Sequence, residues 1–489
     1  MPHEDLLITE QCGSLGNPIK YTRQGQNGIS RREIAQESVA DTLLQAVLGF
    51  FREVLLPHGY PDSVSEDYFD YQLWDTVQAF CSTITGIFTT HAILKGVGVG
   101  NVEASALSAT ITWIMKDGTG MVGRIMFAWW KGNSLDCNCK KWRLFADLLN
   151  DGAMILELCV PHVTHLTTEI LCLSTAMKSV VGIAGGATRA SITNHQAIKG
   201  NMAEISAKDG SQETLVNLVA SFTGIFLINY FTDITAQWVV TFLLIILHLY
   251  SNYQAVTALI FKNLNDLRMT LVLKSYLIVN AVLGPERINK MESVLLGFGT
   301  DVEKFCGFKI ILGRPLRKTL IYYNYDELRS LTEVYKNRKY LLVPDLKRRA
   351  IFVTFEKGET PQDVIAGYYN AVLLGLATCI YNRVNLVSFV KEIASITGQN
   401  GFQDIYSKRQ LHQSTPVTRL NTFMKTNHNS LDVPNNIPPH LLLTFNDFVD
   451  QETDMFFTAL QVNGWKTDSH SLYLDEWRAQ WRDFDKRSL

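Results

Sequence analysis

Charge is scarce in this chain. Charged side chains make up 19% of its 489 residues, below the roughly 25% of an average soluble domain. Between Thr214 and Phe261 the only formally charged side chain is Asp233. The net charge is −2, so no global basic field points to nucleic acid. No Asn-x-Ser/Thr sequon occurs, which leaves nothing to argue for a glycosylated luminal domain. The opening residues, MPHEDLLITEQCGS, have neither a basic nor an apolar leader region, so no cleavable signal peptide or Arg-rich transit peptide is expected. The eight cysteines, at 12, 81, 137, 139, 159, 172, 306 and 379, are scattered, a pattern of buried thiols rather than a disulfide framework. No nucleophile elbow or dinucleotide fingerprint appears. The GVGVG of 96–100 lacks the preceding strand that such a fingerprint needs, and neither a catalytic residue nor a cofactor is predicted.

What is there is apolar and regional. Two apolar runs, Leu215–Phe231 and Ala236–Tyr250, are joined by the short link Thr232–Thr235. Each is near the length a helix needs to cross a bilayer. Residues 71–261 are apolar and rich in Gly, Ala, Ser and Thr, whereas 262–489 carry charge at ordinary density. The spacing predicts helices at about 71–95, 104–130, 141–158, 164–184, 212–231 and 236–261. Small residues share faces on them (Ser82, Thr85, Gly86 and Thr89; Ala104, Ser105, Ser108 and Ala109), which suits close helix packing in lipid. The alternative is a set of buried helices in a large soluble core.

The predicted fold is a mostly α membrane protein, with a six-helix apolar core readable as a 3+3 repeat and a C-terminal α/β or α+β soluble domain. The predicted boundaries are an N-terminal segment with an amphipathic helix (1–56), the helical core (57–265), the α/β domain (266–395), and a polar link with C-terminal helices (396–489). Residues 1–30 read as a short strand and loose chain, and Arg31–Leu56 as the amphipathic helix. In the C-terminal half, Phe308–Leu312, Tyr340–Val343 and Ile351–Phe355 read as strands. Thr360 and Pro361 start a helix with one apolar face of Ile365, Tyr368, Tyr369, Val372 and Leu376. Leu441–Val462 and Ser471–Arg482 read as terminal amphipathic helices.

Three glycine-containing segments stand out as candidate ligand sites. Lys116-Asp117-Gly118-Thr119-Gly120, with Gly123 and Arg124, interrupts an apolar run. Glycines let backbone N–H groups turn toward an anion while Lys and Arg add charge. A broken helix at membrane depth is a transporter device; the bland reading is a polar turn at the membrane surface. Gly185-Gly186, with Arg189, reads either as a second break or as a helix C-cap with a cation in favourable dipole position. Lys208-Asp209-Gly210 precedes the apolar hairpin, with Ser211 as an N-cap, and echoes Lys116-Asp117-Gly118 at a distance of 92 residues. Two three-helix repeats, about 71–160 and 164–261, would place the second copy inverted. Cys137 and Cys139 with His162 and His165 have spacing too tight for zinc, so no metal is predicted. Asp147 and Asp151 share a helix face, read as a partly solvated surface.

From Pro57 onward, PHGYPDSVSEDYFDYQLWDTVQAFCS, ILKGVGVGNVEASALSATITWIMKDGTGMVGRIMFAWWKG, KKWRLFADLLNDGA, GGATRASITNHQA and NMAEISAKDGSQET together resemble the Root UVB-sensitive family. The likeness is strong over residues 35–265 and looser beyond. It implies a membrane-associated protein without established catalytic activity, linked in plants to vitamin B6 homeostasis and acting with a second family member. The family's polar motif positions fall on Lys116, Asp117, Arg124, Arg189, Lys208 and Asp209. The expected function is therefore binding or transport of a small anionic metabolite, such as a B6 vitamer phosphate. The alternative is a non-transporting scaffold that recruits a partner through its cytosolic C-terminal domain, or, more remotely, an enzyme holding B6 phosphate on Lys116 or Lys208. The expected setting is multi-pass in an intracellular membrane such as the endoplasmic reticulum. Expected partners are the bilayer and either another family member or a second copy, but not nucleic acid. The basic segment Lys336–Arg349 is a candidate for anionic headgroups.

Overall fold

The computed structural model describes residues 6–10, 19–24, 28–33, 48–97, 106–299, 301–321, 323–381, 415–426 and 439–481. The chain divides into two compact units, Met1–Leu259 with Val294–Leu296, and Ile260–Ser293 with Gly297–Leu489.

The first unit begins with strands β1 (Leu6–Glu10), β2 (Ile19–Gln24) and β3 (Gly28–Glu33), an antiparallel meander where a single strand and loose chain are expected. The expected amphipathic helix therefore loses Arg31, Arg32 and Glu33 to β3, whose cross-strand pairs run Lys20 to Arg32 and Tyr21 to Arg31. Its helical part is seen at 48–55, and Ile34, Val39, Leu43 and Val47 lie outside the described residues.

Six long helices follow: α1 (Tyr68–Gly96), α2 (Ala106–Lys131), α3 (Cys139–Leu158), α4 (Thr167–Gln196), α5 (Met202–Tyr230) and α6 (Ile234–Ala258). The turn between α5 and α6 follows from Asp233, whose carboxylate accepts the Ala236 N–H at 3.0 Å and caps α6. Elsewhere the glycines mislead. The segment 116–124 is not a break, because α2 runs through it without interruption. Gly182, Gly185 and Gly186 do not end α4, which continues to Gln196. Likewise α5 starts at Met202, so Lys208-Asp209-Gly210 lies inside it and Ser211 is not its cap. A helical glycine costs only about 1 kcal/mol relative to alanine, and packing offsets that. Ala184 and Thr188 of α4 are fully buried, and Cys139 Sγ of α3 donates to the Thr188 carbonyl at 3.6 Å.

The helices pair in a definite pattern. Helix α1 lies antiparallel to α6 (Trp74 on Tyr250, Gln78 on His248) and parallel to α5 (Gln72 on Asp209, Thr83 on Asn217, Ile87 on Gly224). Helix α4 lies antiparallel to α3 (Thr188 on Cys139, Lys178 on Glu157) and parallel to α2 (Thr168 on Thr112, Thr175 on Gly120, Ser179 on Gly123). Helices α3 and α6 cross antiparallel, with Asp151 on His248 and the Lys140 ammonium on the Leu259 carbonyl. Four of the six, α1, α4, α5 and α6, are long and apolar enough to cross a membrane.

In the second unit, β4 (Lys309–Leu312) pairs parallel with β6 (Ala350–Glu356), and β5 (Tyr340–Asp345) pairs antiparallel with it. The predicted strands are thus present. Both β5 and β6 are buried along their whole length. Helix α7 (Asp266–Val279) is capped by Asn265, and α8 (Tyr325–Val334) by a reciprocal box of Asn324 and Glu327. Thr360 starts α9 (Pro361–Tyr381), where Asp363 Oδ2 accepts the Thr360 N–H at 2.8 Å. The expected single apolar face of α9 is too narrow: it is buried on all sides from Gly367 to Cys379. Tyr369 stacks on Phe456 of α11 (Pro439–Val462) at 4.5 Å, with Tyr276 of α7 beside them. Part of the expected polar link is helical, α10 (Pro416–Thr426), and the rest lies outside the described residues apart from Thr415, Pro439 and His440. Residues 471–481 are not a helix. They run extended, with β7 (Arg478–Ala479) parallel to the end of β6, because Arg478 donates to Glu359 at 2.6 Å and to the Asp475 carbonyl at 2.7 Å. Three of the basic residues of 336–349 are engaged within the unit: Arg338 with Asp450 at 2.7 Å, Lys339 with Glu356 at 3.1 Å, Arg348 with Asp345 at 3.5 Å.

Candidate functional site

The polar side chains of the helical unit collect along a seam between α1, α3, α4, α5 and α6. At one end, Arg189 of α4 holds two acids of α5. Its guanidinium donates to Asp209 at 2.6 and 2.7 Å and to Glu213 at 2.7 Å. Gln72 of α1 donates to the other Asp209 oxygen at 3.3 Å. In the middle, Arg143 of α3 donates to Asp75 of α1 at 2.8 Å and lies 3.8 Å from Asp147, one turn along its own helix. The Tyr71 hydroxyl donates to Asp75 at 3.4 Å. At the α3–α6 crossing, His248 Nδ1 meets Asp151 Oδ2 at 2.8 Å, and its Nε2 faces Gln78 of α1 at 3.3 Å. Separately, His195 meets Asp67 at 2.8 Å, and Lys178 meets Glu157 at 2.6 Å.

The sequence rule behind the seam is helical spacing. Gln72, Asp75 and Gln78 recur every three residues on α1, and Arg143, Asp147 and Asp151 every four on α3. Each set shares a face, and each face meets another such face rather than water. A charge removed from water must be paired and hydrogen-bonded to persist. Most of the seam meets that condition with mutually opposed side chains; Asp147 Oδ2 has no hydrogen-bond partner.

The structure unites only part of the predicted set. Arg189 and Asp209 are directly paired, and Lys208, one residue away, donates to the Glu53 carbonyl. Lys116, Asp117, Gly118 and Arg124 are elsewhere. Asp117, Gly118 and Arg124 are exposed on α2, and Lys116 lies 4.2 Å above the Trp113 ring. Gly120 serves packing, since a Cβ there would stand 2.9 Å from Thr175. Gly185 and Gly186 face open space. None of these glycines presents a turn whose N–H groups could cradle an anion, because each lies within a continuous helix. Sequence reasoning missed Asp75, Gln78, Arg143 and His248, and read Asp147 and Asp151 as solvated. The available signal was helical spacing: on α1 and α6 these are polar groups inside apolar helices, whereas on the charge-rich α3 spacing alone marked the face.

Outside the seam the helices are inverted in character. Phe222 and Ile225 of α5, Leu243 and Ile246 of α6, and Ile125 and Trp129 of α2 are exposed, Phe222 at 68% and Trp129 at 87%. Polar groups inside and large apolar ones outside reverse the soluble pattern.

Comparison with known proteins accounts for nearly all of the chain beyond residue 40. Residues 41–280 match a family model described as a vitamin B6 photo-protection and homoeostasis domain, and 281–415 and 405–481 match one described as the C-terminal part of Root UVB sensitive protein. A relative from Dictyostelium discoideum, RUS family member 1, is 47% identical over 256 residues, covering 50% of this chain and 48% of that protein. The match thus spans about half the length of that relative. Protein root UVB sensitive 3 of Arabidopsis thaliana is 35% identical over 334 residues, 66% of this chain and 74% of the relative. Protein root UVB sensitive 2, chloroplastic, of the same plant is 28% identical over 339 residues, 69% and 76% of the two chains. No solved structure matches.

Proposed function

The chain belongs to the Root UVB-sensitive family, and on that premise we propose that it is an integral protein of an intracellular membrane whose helical unit binds and moves a small polar metabolite linked to vitamin B6 homeostasis. The observation that carries the reading is the seam itself: nine charged or titratable side chains of five helices meet inside a bundle whose outer faces are apolar. Ionisable groups within membrane helices are expensive, and they mark ligand and ion pathways. The ligand end is at Arg189, which is half-exposed and the one guanidinium of the seam open to solvent. An anionic metabolite such as a B6 vitamer phosphate would compete there with Asp209 and Glu213 for the same donors. Lys116 and Arg124, on the outer face of α2, lie outside this pathway.

The helix pairing supports the same reading. Exchanging α1–α3 with α4–α6 preserves the main contacts between the two sets, though not those within them: each first helix packs antiparallel on the third helix of the other set and parallel on its second, and the two third helices cross each other. Two three-helix repeats of opposite orientation account for this, with Lys116-Asp117-Gly118 and Lys208-Asp209-Gly210 on corresponding helices. Transporters of this design alternate access by rocking one repeat against the other around a site at their interface, and the Gln72–Asp209, Gln78–His248 and Asp151–His248 contacts of the seam cross between the two sets.

The test is uptake of a B6 vitamer phosphate into proteoliposomes containing the purified full-length chain. Saturable uptake is expected, reduced at least tenfold in Arg189→Ala and unchanged in Arg124→Ala. Absence of uptake and binding in folded, inserted protein sinks the reading.

A further inference from the structure

One part of the seam is incomplete as it stands. Asn252, one turn beyond His248 on α6, is 1% exposed, and neither its amide nitrogen nor its amide oxygen has a hydrogen-bond partner. Asp147 Oδ2 on α3 is likewise buried without one. The antiparallel register of α3 and α6 sets these two at facing positions, with no hydrogen bond joining them. Asp151 meets His248, Leu144 clusters with Val256, and Lys140 reaches Leu259. The position on α6 opposite Asp147 is therefore Asn252. Orphaned buried polar atoms are rare in native structures and call for a missing partner.

The ion pairing leads to the same residue. Three carboxylates, Asp75, Asp147 and Asp151, face one guanidinium and one imidazole. Asp75 holds Arg143 and Asp151 holds His248. Asp147, 3.8 Å from Arg143 Nε, is the carboxylate with a buried oxygen that no donor bonds. The other cation of the crossing, Lys140, two turns from Asp147 on α3, donates to the Leu259 carbonyl at 2.7 Å. Of the groups turned toward Asp147, helix α1 contributes Tyr71, Asp75, Gln78 and Cys81, and α4, on the far side of α3, contributes Val180 and Ala184.

We propose that Asp147 is a proton-binding residue of the helical unit, and that its proton is the ion coupled to transport. The second half rests on the transport reading; the first does not. Protonation, with a side-chain rotation that brings Asp147 and Asn252 into contact, would satisfy all three orphaned atoms together. A carboxylic acid donates its O–H to the Asn252 amide oxygen and accepts an amide N–H on its other oxygen, closing a two-bond ring. A carboxylate can only accept, which leaves the amide oxygen bare. Asp147 is also the acid of the α3–α6 crossing with a route to solvent. Its side chain is 13% exposed, against 4% for Asp151 and 1% for His248. Opening of the repeats would separate α3 from α6, part the ring and release the proton, so proton occupancy and conformation are linked.

The experiment is infrared difference spectroscopy of the full-length protein in lipid nanodiscs, titrated from acid to alkaline pH. A protonated-carboxyl band that disappears on titration is expected. It should be lost in Asp147→Asn, whose amide can form the same ring and so keeps the fold. It should be shifted to higher frequency in Asn252→Leu, which removes the partner, and kept in Asp233→Asn. A band unaltered by both Asp147→Asn and Asn252→Leu, or no such band at any pH, overturns the proposal. In proteoliposomes, uptake driven by a pH gradient should lose that dependence in Asp147→Asn. If the band behaves as expected and no uptake occurs, transport fails and the proton site stands; if uptake is unaffected by the gradient, the coupling fails.

Discussion

At the scale of single residues, the informative positions are those where one atom decides what the backbone or the charge can do. Gly313 closes β4 with φ +69°, and a Cβ there would lie 2.2 Å from the Asp475 carbonyl oxygen, part of the main chain and unable to swing away. Gly313→Ala should therefore destabilise the C-terminal unit by strain on the order of 1–3 kcal/mol, read as a lower unfolding temperature and faster exchange of the Asp475 amide, which bonds to Leu312. Asp266 illustrates the opposite problem, a charge that the fold tolerates poorly. Burial pushes its carboxyl up to about 6, with the Tyr473 backbone N–H opposing the shift. The folded state then binds more protons than the unfolded chain from about pH 4, the ordinary Asp value, to about pH 6. Stability from this group is present at the acid end and is lost as pH rises through that window. Asp266→Asn should remove this dependence and gain over wild type above the window, measured by chemical denaturation at several pH values. Neither effect was legible in the sequence: Gly313 sits in an unremarkable Leu-Gly-Arg, and nothing near Asp266 in the chain announces Tyr473.

At the scale of elements, caps were legible and interiors were not. Asp233, the lone charge in a long apolar run, marks the α5–α6 turn because a carboxylate there has an N–H to accept, and Thr360 with Pro361 marks the start of α9 in the same way. The glycines of 116–123 and 182–186 misled because a turn signal is only a local preference. Inside α2 and α4 it is overruled by helix packing, for which Gly120 and Gly123 give the close approach to Thr175 and Ser179. Residues 471–481 failed for a related reason: their apparent helical face is spent on pairing with β6. The junction at α7 offers a direct test of element-level energetics. Arg268 makes a two-pronged contact with Glu292 at 3.0 and 3.1 Å, both side chains buried, and Asn265 caps the helix while bonding the same carboxylate at 2.8 Å. Glu292→Gln leaves that guanidinium buried without its countercharge and should cost about 3–5 kcal/mol, seen as early loss of helical signal from the C-terminal unit in urea.

At the scale of the whole molecule, the two units obey different rules. The C-terminal unit buries its sheet and α9 in a continuous apolar core, the arrangement water imposes. The helical unit buries its charges and exposes Phe222, Ile225, Leu243 and Trp129. Such a surface calls for a covering, which on the proposed reading is lipid. The full-length protein is thus expected to stay with membranes through high salt and alkaline washing and to leave them only in detergent. Recovery in the alkaline supernatant, still folded, would contradict the membrane reading.

Composition alone determined that the chain has an apolar, charge-poor half and an ordinary half. Periodicity determined where most helices and the three strands β4, β5 and β6 lie, because caps, breakers and apolar spacing act within a few residues of themselves. The ordered motifs determined the family. Only the tertiary structure decided which polar residues matter. Arg189 meets Asp209, Arg143 meets Asp75, and Asp151 meets His248 across 20, 68 and 97 residues of chain. Whether a carboxylate on an amphipathic helix faces water or another helix depends on partners that no local spacing encodes. For Asp147 that distinction separates a surface charge from a buried proton.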